Sequence, residues 1–167
     1  LHLIFPILKQ PGLKNVVSDS FVKQWRNFVL NSPYDSLDNW LTYISEKNTT
    51  SKGAIYKDEA ILIQKKLSLK NFEAEYKVII IWMPEKMNTE ASNKLLKVFE
   101  EPPKRTVFLL VTNKPEKLLP TLTSRLQKIK ISDFKIEDIM VFFKNQNLSP
   151  HVLRLGILKQ IILDHQQ

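Results

Sequence analysis

Residue types that bind phosphate or metal are sparse in this sequence. The three glycines, Gly12, Gly53 and Gly156, lack the spacing of a G-x-x-x-x-G-K-[ST] phosphate loop, and equally that of a G-x-G-x-x-G dinucleotide turn. There is no cysteine, and the histidines at positions 2, 151 and 165 are far apart. The sequence therefore predicts no nucleotide-binding loop, no bound cofactor and no metal site within these residues.

Basic residues outnumber acidic ones, which makes acidic partners such as DNA plausible. The 167 residues include 25 Lys and Arg against 17 Asp and Glu, a formal net charge of +8. Five lysines could face DNA: Lys65, Lys66, Lys70, Lys128 and Lys130. They lack interleaved aromatic residues and a recognition-helix pattern, so they equally fit an ordinary solvated surface.

The composition is that of a folded domain. Hydrophobic residues make up 43% of the chain and charged residues 25%, which is enough to form a core. No apolar run is long enough to cross a bilayer, and no leader-like segment opens the sequence. We expect a cytoplasmic protein.

The first half of the chain predicts one short strand and three helices. The strand lies within Leu1–Pro6 and is ended by the proline. Helical spacing of apolar residues predicts helices that begin at Ser18 and that cover about 37–44 and about 57–69. Trp25 and Trp40 lie on apolar helix faces, so we interpret them as core residues.

The second half alternates strands and helices. Val78–Met83 and Val107–Val111 are short apolar runs, typical of parallel strands that are buried on both faces. A helix between them begins at Asn88 or Thr89, and a short connecting helix follows the second strand. The alternating segment Gln127–Ile131 predicts a third strand. This order predicts a parallel βαβ sheet.

Three motifs occur in order between residues 87 and 126. The first is MNTEASNKLLK at 87–97 followed by EEPP at 100–103, the second is Phe108–Asn113, and the third is TLTSRL at 121–126. They resemble the M-x-x-x-A-x-N-A-L-L-K…E-E-P-P signature, the sensor-1 strand and the S-R-C motif of the AAA+ subunits of the bacterial DNA polymerase III clamp loader. Leucine stands where the third motif usually has cysteine.

The resemblance implies an α/β fold with a parallel sheet of the P-loop NTPase/AAA+ type, covered by helices. We expect residues 1–132 to form a partial AAA+ domain with a helical insertion at about 18–70, and 133–167 to begin a helical lid domain. The family's phosphate loop and cysteine-rich zinc module are not in this sequence. The sheet is therefore expected to be incomplete on its N-terminal side, and the chain to be a fragment of a longer protein.

One departure from the family indicates which subunit type the chain resembles. ATP-hydrolysing members end the first of these strands in an Asp-Glu pair that holds magnesium and polarises water. Trp82 and Met83 stand there, and neither side chain offers the oxygen that magnesium prefers. Glu85 follows a proline, and we interpret it as an exposed turn acid. The chain thus resembles the delta-prime subunit, which is not an enzyme on its own but belongs to the DNA polymerase III holoenzyme.

The third motif implies a functional arginine. In the family, the arginine of this motif acts in trans on a neighbouring subunit's ATP, so the resemblance implies that Arg125 is such an arginine finger. A guanidinium suits this role because it is permanently charged and planar. Ser124 would hold the backbone turn that directs Arg125. We expect Arg125 at the carboxyl-end rim of the sheet. Thr112 and Asn113 occupy the sensor-1 position. The alternatives are a surface arginine at a helix end and polar residues with a structural role.

The resemblance also implies partners. These are the gamma/tau and delta subunits and, through the assembly, the sliding clamp and primed DNA. The strand that leads into the family's phosphate loop is not in this sequence, which would leave an open slot between the strand that ends at Val111 and the one near Ile129. We therefore expect this chain either to close the slot by collapse or to self-associate through it. Two other functions remain: a fragment of an ATP-hydrolysing gamma/tau subunit, and a basic stand-alone DNA-binding domain.

Overall fold

A computed structural model describes residues 1–9, 16–32, 35–45, 52–69, 75–132, 135 and 141. The strands are β1 (His2–Ile4), β2 (Lys77–Trp82) and β3 (Thr106–Val111). The helices are α1 (Val22–Asn31), α2 (Leu37–Ile44), α3 (Lys57–Ser68), α4 (Thr89–Glu100) and α5 (Pro120–Thr123). Single turns of 3-10 helix cover Ser18–Phe21, Pro84–Lys86 and Pro115–Lys117. The helices predicted in the first half are confirmed.

The three strands form one parallel sheet in the order β1-β2-β3. Ile79 of β2 lies opposite His2 of β1 on one side and Phe108 of β3 on the other. Helix α4 makes the crossover from β2 to β3 and is capped by Asn88, whose side-chain oxygen accepts a 2.8 Å hydrogen bond from the backbone N–H of Ala91. The predicted parallel α/β fold is confirmed.

Helices α3 and α4 cover one face of the sheet. The core beneath them consists of buried side chains from β1, β2, α3, α4 and α5, among them Ile4, Ile63, Ile81, Leu95, Phe99 and Leu122. Phe99 meets Phe108 of β3 edge to face, with ring centroids 5.0 Å apart. This core ties α4 and α5 to the sheet.

An aromatic cluster lies between the sheet and the layer formed by α1 and α2. Trp25 of α1 stacks on Phe5 at 4.3 Å and lies 4.9 Å from Trp40 of α2 and 4.9 Å from Trp82 of β2. The indole N–H of Trp40 donates a 2.8 Å hydrogen bond to the carbonyl of Pro6. Trp40 is fully buried and Trp25 partly so, which confirms both as core residues.

Strand β3 is not buried on both faces, contrary to the prediction. Phe108 and the other even-numbered residues face α4, but Val107, Leu109 and Val111 are 39%, 47% and 49% exposed. The reason is that, within the described residues, the layer of α1 and α2 packs over β1 and β2 and does not extend over β3.

The strand predicted at Gln127–Ile131 does not form. These residues are described, they join no sheet, and Ile129 and Ile131 are 79% and 86% exposed. Alternation of apolar and polar residues makes a segment suitable for a sheet, but its tertiary surroundings decide whether it pairs, and this segment does not pair with β3. No described residue pairs with the free edge of β3.

The chain divides into two units, residues 1–127 and 128–167. Most of the second unit lies outside the described residues, so the lid domain at 133–167 stays a prediction. Within the described part of the chain, no helix is long and apolar enough to cross a membrane.

Candidate functional site

The end of β2 is built into the aromatic cluster. The indole of Trp82 packs against Trp25, and Met83 packs against the same group of side chains. Met83 has a left-handed backbone conformation with φ 55°, and Pro84 after it is fully buried. These two positions supply no oxygen ligand and are held by packing, so they do not fit a magnesium ion.

Thr112, which follows β3, is occupied by contacts within the chain. Its hydroxyl donates a 2.7 Å hydrogen bond to Glu85 Oε2 and accepts a 2.9 Å bond from the backbone N–H of Lys114. Glu85 is half-buried and tied to the neighbouring strand end, so its interpretation as an exposed turn acid was wrong. Asn113, the other sensor-1 residue, is exposed.

Arg125 lies just beyond α5. Its Nη1 donates hydrogen bonds to the carbonyl of Thr121 and, at 3.3 Å, to Ser124 Oγ, while its Nη2 forms an ion pair with Glu100 Oε1. Ser124 Oγ donates a 3.2 Å bond to the same Thr121 carbonyl. The side chains of Arg125 and Glu100 remain 33% and 41% exposed.

The arginine lies at the amino ends of the strands, and the predicted position at the carboxyl-end rim was wrong. Helix α4 starts after the carboxyl end of β2 and returns to the amino end of β3, so its last residue, Glu100, lies at that opposite end. The backbone N–H of Lys77, at the start of β2, donates a 2.7 Å bond to the carbonyl of Arg105 there. The ion pair therefore holds Arg125 on the side away from Thr112 and Asn113.

The structure thus divides the predicted site residues into two groups. Ser124 and Arg125 lie together beside Glu100, whereas Thr112 and Asn113 lie at the other end of the sheet with Glu85. Sequence reasoning missed Glu100 as a partner. It lies 25 positions before Arg125 in the printed sequence, and no local pattern reports a contact over that separation.

A buried acid outside both groups also escaped the sequence analysis. Glu59 of α3 accepts a 2.7 Å hydrogen bond on Oε2 from the backbone N–H of Ser18, and its Oε1 lies 2.6 Å from Ser18 Oγ. Burial raises the pKa of the Glu59 carboxyl, and the hydrogen bonds from Ser18 oppose this only in part. This pair joins the first 3-10 turn to α3.

No group of three or more His, Asp or Glu side chains within the described residues is placed to hold a metal ion. Among the lysines predicted to face DNA, Lys66 forms an ion pair with Asp19, with Nζ 2.5 Å from Oδ2. Lys70 lies outside the described residues.

Comparison with known proteins places the chain in a family. The family described as "DNA polymerase III, delta subunit" matches residues 35–135, more than half of the chain. The chain belongs to this family. The match confirms the resemblance to clamp-loader subunits of the delta-prime type that the three motifs predicted.

The proteins similar to this chain include both delta-prime and gamma/tau subunits. DNA polymerase III subunit delta' of Bacillus subtilis is 35% identical over 105 residues, which is 61% of this chain and 31% of that protein. The gamma/tau subunit of Mycobacterium tuberculosis is 42% identical over 53 residues, 32% of this chain and 9% of that protein. The chain therefore spans about a third or less of the length of these relatives.

A solved structure supports the fold. A gamma subunit-related protein of DNA polymerase III from Thermotoga maritima superposes with a TM-score of 0.51 at 22% sequence identity. The superposition covers 86% of this chain and 45% of that one. At this identity it shows a shared fold and nothing about shared activity.

Proposed function

We propose that this chain is part of a delta-prime-type subunit of the DNA polymerase III clamp loader that does not hydrolyse ATP. In that role it helps to load the sliding clamp onto primed DNA, together with gamma/tau and delta subunits. The observation that carries the proposal is the end of β2, where Trp82 and Met83 are packed into the aromatic cluster. A site that uses those positions for packing cannot also use them to bind magnesium.

The position of Arg125 supports a role in trans. A nucleotide in an α/β protein of this kind binds outside the carboxyl ends of the strands. Arg125 lies at the opposite ends, beside Glu100 at the end of α4. It therefore faces away from any nucleotide held at the carboxyl end of its own sheet, and a phosphate that it contacts belongs to another subunit.

The test is substitution of Arg125 in the full-length subunit, reconstituted with its ATP-hydrolysing partners, the clamp and primed DNA. Arg125→Ala is expected to leave assembly intact and to lower DNA-stimulated ATP hydrolysis, since a trans arginine stabilises charge on the transferred phosphoryl group and is worth about 10³- to 10⁵-fold at a single site where it is optimal. Arg125→Lys is expected to restore little, because lysine lacks the planar fork of donors.

Lys104→Ala is the matched control. Lys104 is an exposed cation just before β3, at the same end of the sheet, so this variant removes one positive charge without touching the guanidinium. A loader reconstituted with this variant should hydrolyse ATP and load clamps at the wild-type rate. Normal hydrolysis and loading by Arg125→Ala would instead make Arg125 an ordinary surface arginine.

A fragment of an ATP-hydrolysing gamma/tau subunit is the second candidate, favoured by the Mycobacterium relative. Calorimetric titration of the full-length subunit with magnesium-ATP separates the two. The delta-prime proposal expects no specific heat of binding that depends on magnesium, and ATP turnover by the isolated subunit would favour gamma/tau. A stand-alone DNA-binding domain has only the net charge in its favour.

A further inference from the structure

We propose that Glu100 is a positioning residue for Arg125: its carboxylate holds the guanidinium in the orientation from which it reaches a neighbouring subunit. This rests on the proposed function of Arg125 and adds a second residue to it. The ion pair between Nη2 and Glu100 Oε1 joins two motifs, the EEPP sequence at the end of α4 and the SR pair after α5.

The guanidinium is fixed from two sides. Nη1 is held by the Thr121 carbonyl and Ser124 Oγ, both on the α5 turn, and Nη2 is held by Glu100 on α4. A guanidinium has five N–H donors, so these three acceptors fix the plane of the group and leave donors for a phosphate. Without Glu100, only contacts within the α5 turn would hold the side chain.

The two backbones that carry the pair are themselves anchored. Phe99, next to Glu100, is buried in the core and packs edge to face on Phe108 of β3. Leu122 of α5 is 2% exposed and belongs to the same core. The acid and the base are therefore presented by elements fixed to one sheet, which distinguishes this contact from an ion pair between two mobile surface side chains.

Pre-positioning has a specific kinetic consequence. A long arginine side chain loses conformational entropy when it is held in one orientation, and a contact that has already fixed it lowers that cost at the moment of reaction. Loss of Glu100 should therefore lower kcat for DNA-stimulated hydrolysis and leave KM for ATP unchanged, because Glu100 does not contact the nucleotide. Loss of a merely structural contact would instead lower stability or assembly.

The experiment compares Glu100→Gln, Arg125→Ala and the double variant in the full-length subunit within the reconstituted loader. We expect Glu100→Gln to lower kcat about tenfold, the lower end of the effect of losing a partner that orients a metal ligand. The reason is that a neutral amide holds the guanidinium less tightly than a carboxylate does. KM for ATP, subunit assembly and the thermal midpoint should stay at wild-type values. In the Arg125→Ala background the second substitution should have no further effect on kcat, because both residues act through one contact.

Glu101→Gln is the matched control, since Glu101 is the adjacent exposed glutamate and does not pair with Arg125. It should keep the wild-type kcat. A wild-type or raised kcat in Glu100→Gln, while Arg125→Ala remains defective, would overturn the positioning role and leave the arginine finger standing. An equal further loss from Glu100→Gln in the Arg125→Ala background would also overturn it. Wild-type activity of Arg125→Ala would remove the finger itself.

Discussion

The hydroxyl of Ser18 lies between two acceptors and has only one proton to donate. Its oxygen is 3.1 Å from the carbonyl of Leu3 and 2.6 Å from Glu59 Oε1. Both contacts become hydrogen bonds if Glu59 is protonated and donates to Ser18, whose own proton then goes to Leu3. The raised pKa of the buried Glu59 carboxyl favours this neutral form.

This carboxyl is expected to make stability depend on pH. A group whose pKa is higher in the folded than in the unfolded protein contributes its full stability below the unfolded pKa and loses it as pH rises through the folded pKa. The free energy of unfolding should therefore decrease as pH rises above the ordinary glutamate pKa. Glu59→Gln should reduce that decrease, as measured by urea unfolding at a series of pH values.

Three charged or titratable groups near Glu59, namely Lys66, Asp19 and His2, also affect how stability depends on pH. Lys66 favours its ionised form and Asp19 opposes it. Burial, and after it the charge of Lys66, lowers the pKa of His2 on β1. The pH dependence that His2 contributes is therefore opposite to that of Glu59, because its contribution to stability is lost as pH falls. The exposed Glu116→Gln serves as the control. Parallel pH curves for wild type and Glu59→Gln would contradict a neutral Glu59 in the folded protein.

At the scale of elements, Trp82 joins β2 to the layer of α1 and α2. Replacing it with aspartate, the residue that the family resemblance leads us to expect here in ATP-hydrolysing subunits, puts a carboxylate beside the indole of Trp25. We expect Trp82→Asp to lower the free energy of unfolding by about 3 kcal/mol, because it removes an aromatic side chain from packing and buries part of a charge. Magnesium should not restore the loss, which urea unfolding with and without the ion measures.

Trp82→Phe is the companion variant. It keeps an aromatic ring against Trp25 and should cost clearly less than the aspartate. A Trp82→Asp protein that is as stable as the wild type, or that magnesium stabilises, would show that the strand end is free to act as an ion site.

The elements were predictable where the apolar pattern is local, and less so where a distant partner decides. Helices α1 to α4 and strand β2 carry their apolar pattern in consecutive residues, and α2 and α4 are also capped locally by Ser36 and Asn88. Gln127–Ile131 has an equally good alternation but forms no strand, and β3 has a strand's sequence with one face that no described helix covers. In both cases the outcome depends on what lies alongside in space.

The candidate site follows the same division. Ser124, Arg125 and Thr112 were identified from short motifs. The sequence did not predict that Thr112 lies at the opposite end of the sheet from Ser124 and Arg125, because this separation depends on the direction of α4. The ion pair to Glu100 and the buried Glu59–Ser18 contact join residues 25 and 41 positions apart in the printed sequence, and only the folded chain brings them together.

At the scale of the molecule, β3 has an edge and a face that no described residue covers, and these predict self-association of the 167-residue chain. Val107, Leu109 and Val111 are exposed beside backbone groups that no described residue pairs with. Apolar strand edges of this kind recruit other strands. We expect analytical ultracentrifugation of the wild-type chain to show dimers or larger species, and the fraction of these species to rise with protein concentration.

Leu109→Lys should shift the chain toward monomer, since a charged side chain on an edge strand disfavours pairing. Lys on a position already 47% exposed should cost the fold little. Ile61→Lys, at an exposed position on α3, is the control and should leave association unchanged. A monomeric wild-type chain at high concentration would contradict the prediction.

The aromatic cluster also determines what an optical experiment on this protein can report. All three tryptophans of the chain belong to it, with Trp25 4.9 Å from each of the other two. Indoles this close share excitation energy, so intrinsic fluorescence comes from one coupled group. The intensity and wavelength of this fluorescence will change when α1 and α2 separate from β2. They will not report changes around Glu100, at the end of α4. Variants of Arg125 and Glu100 therefore need a reporter attached near α5, because the chain's own emission originates elsewhere.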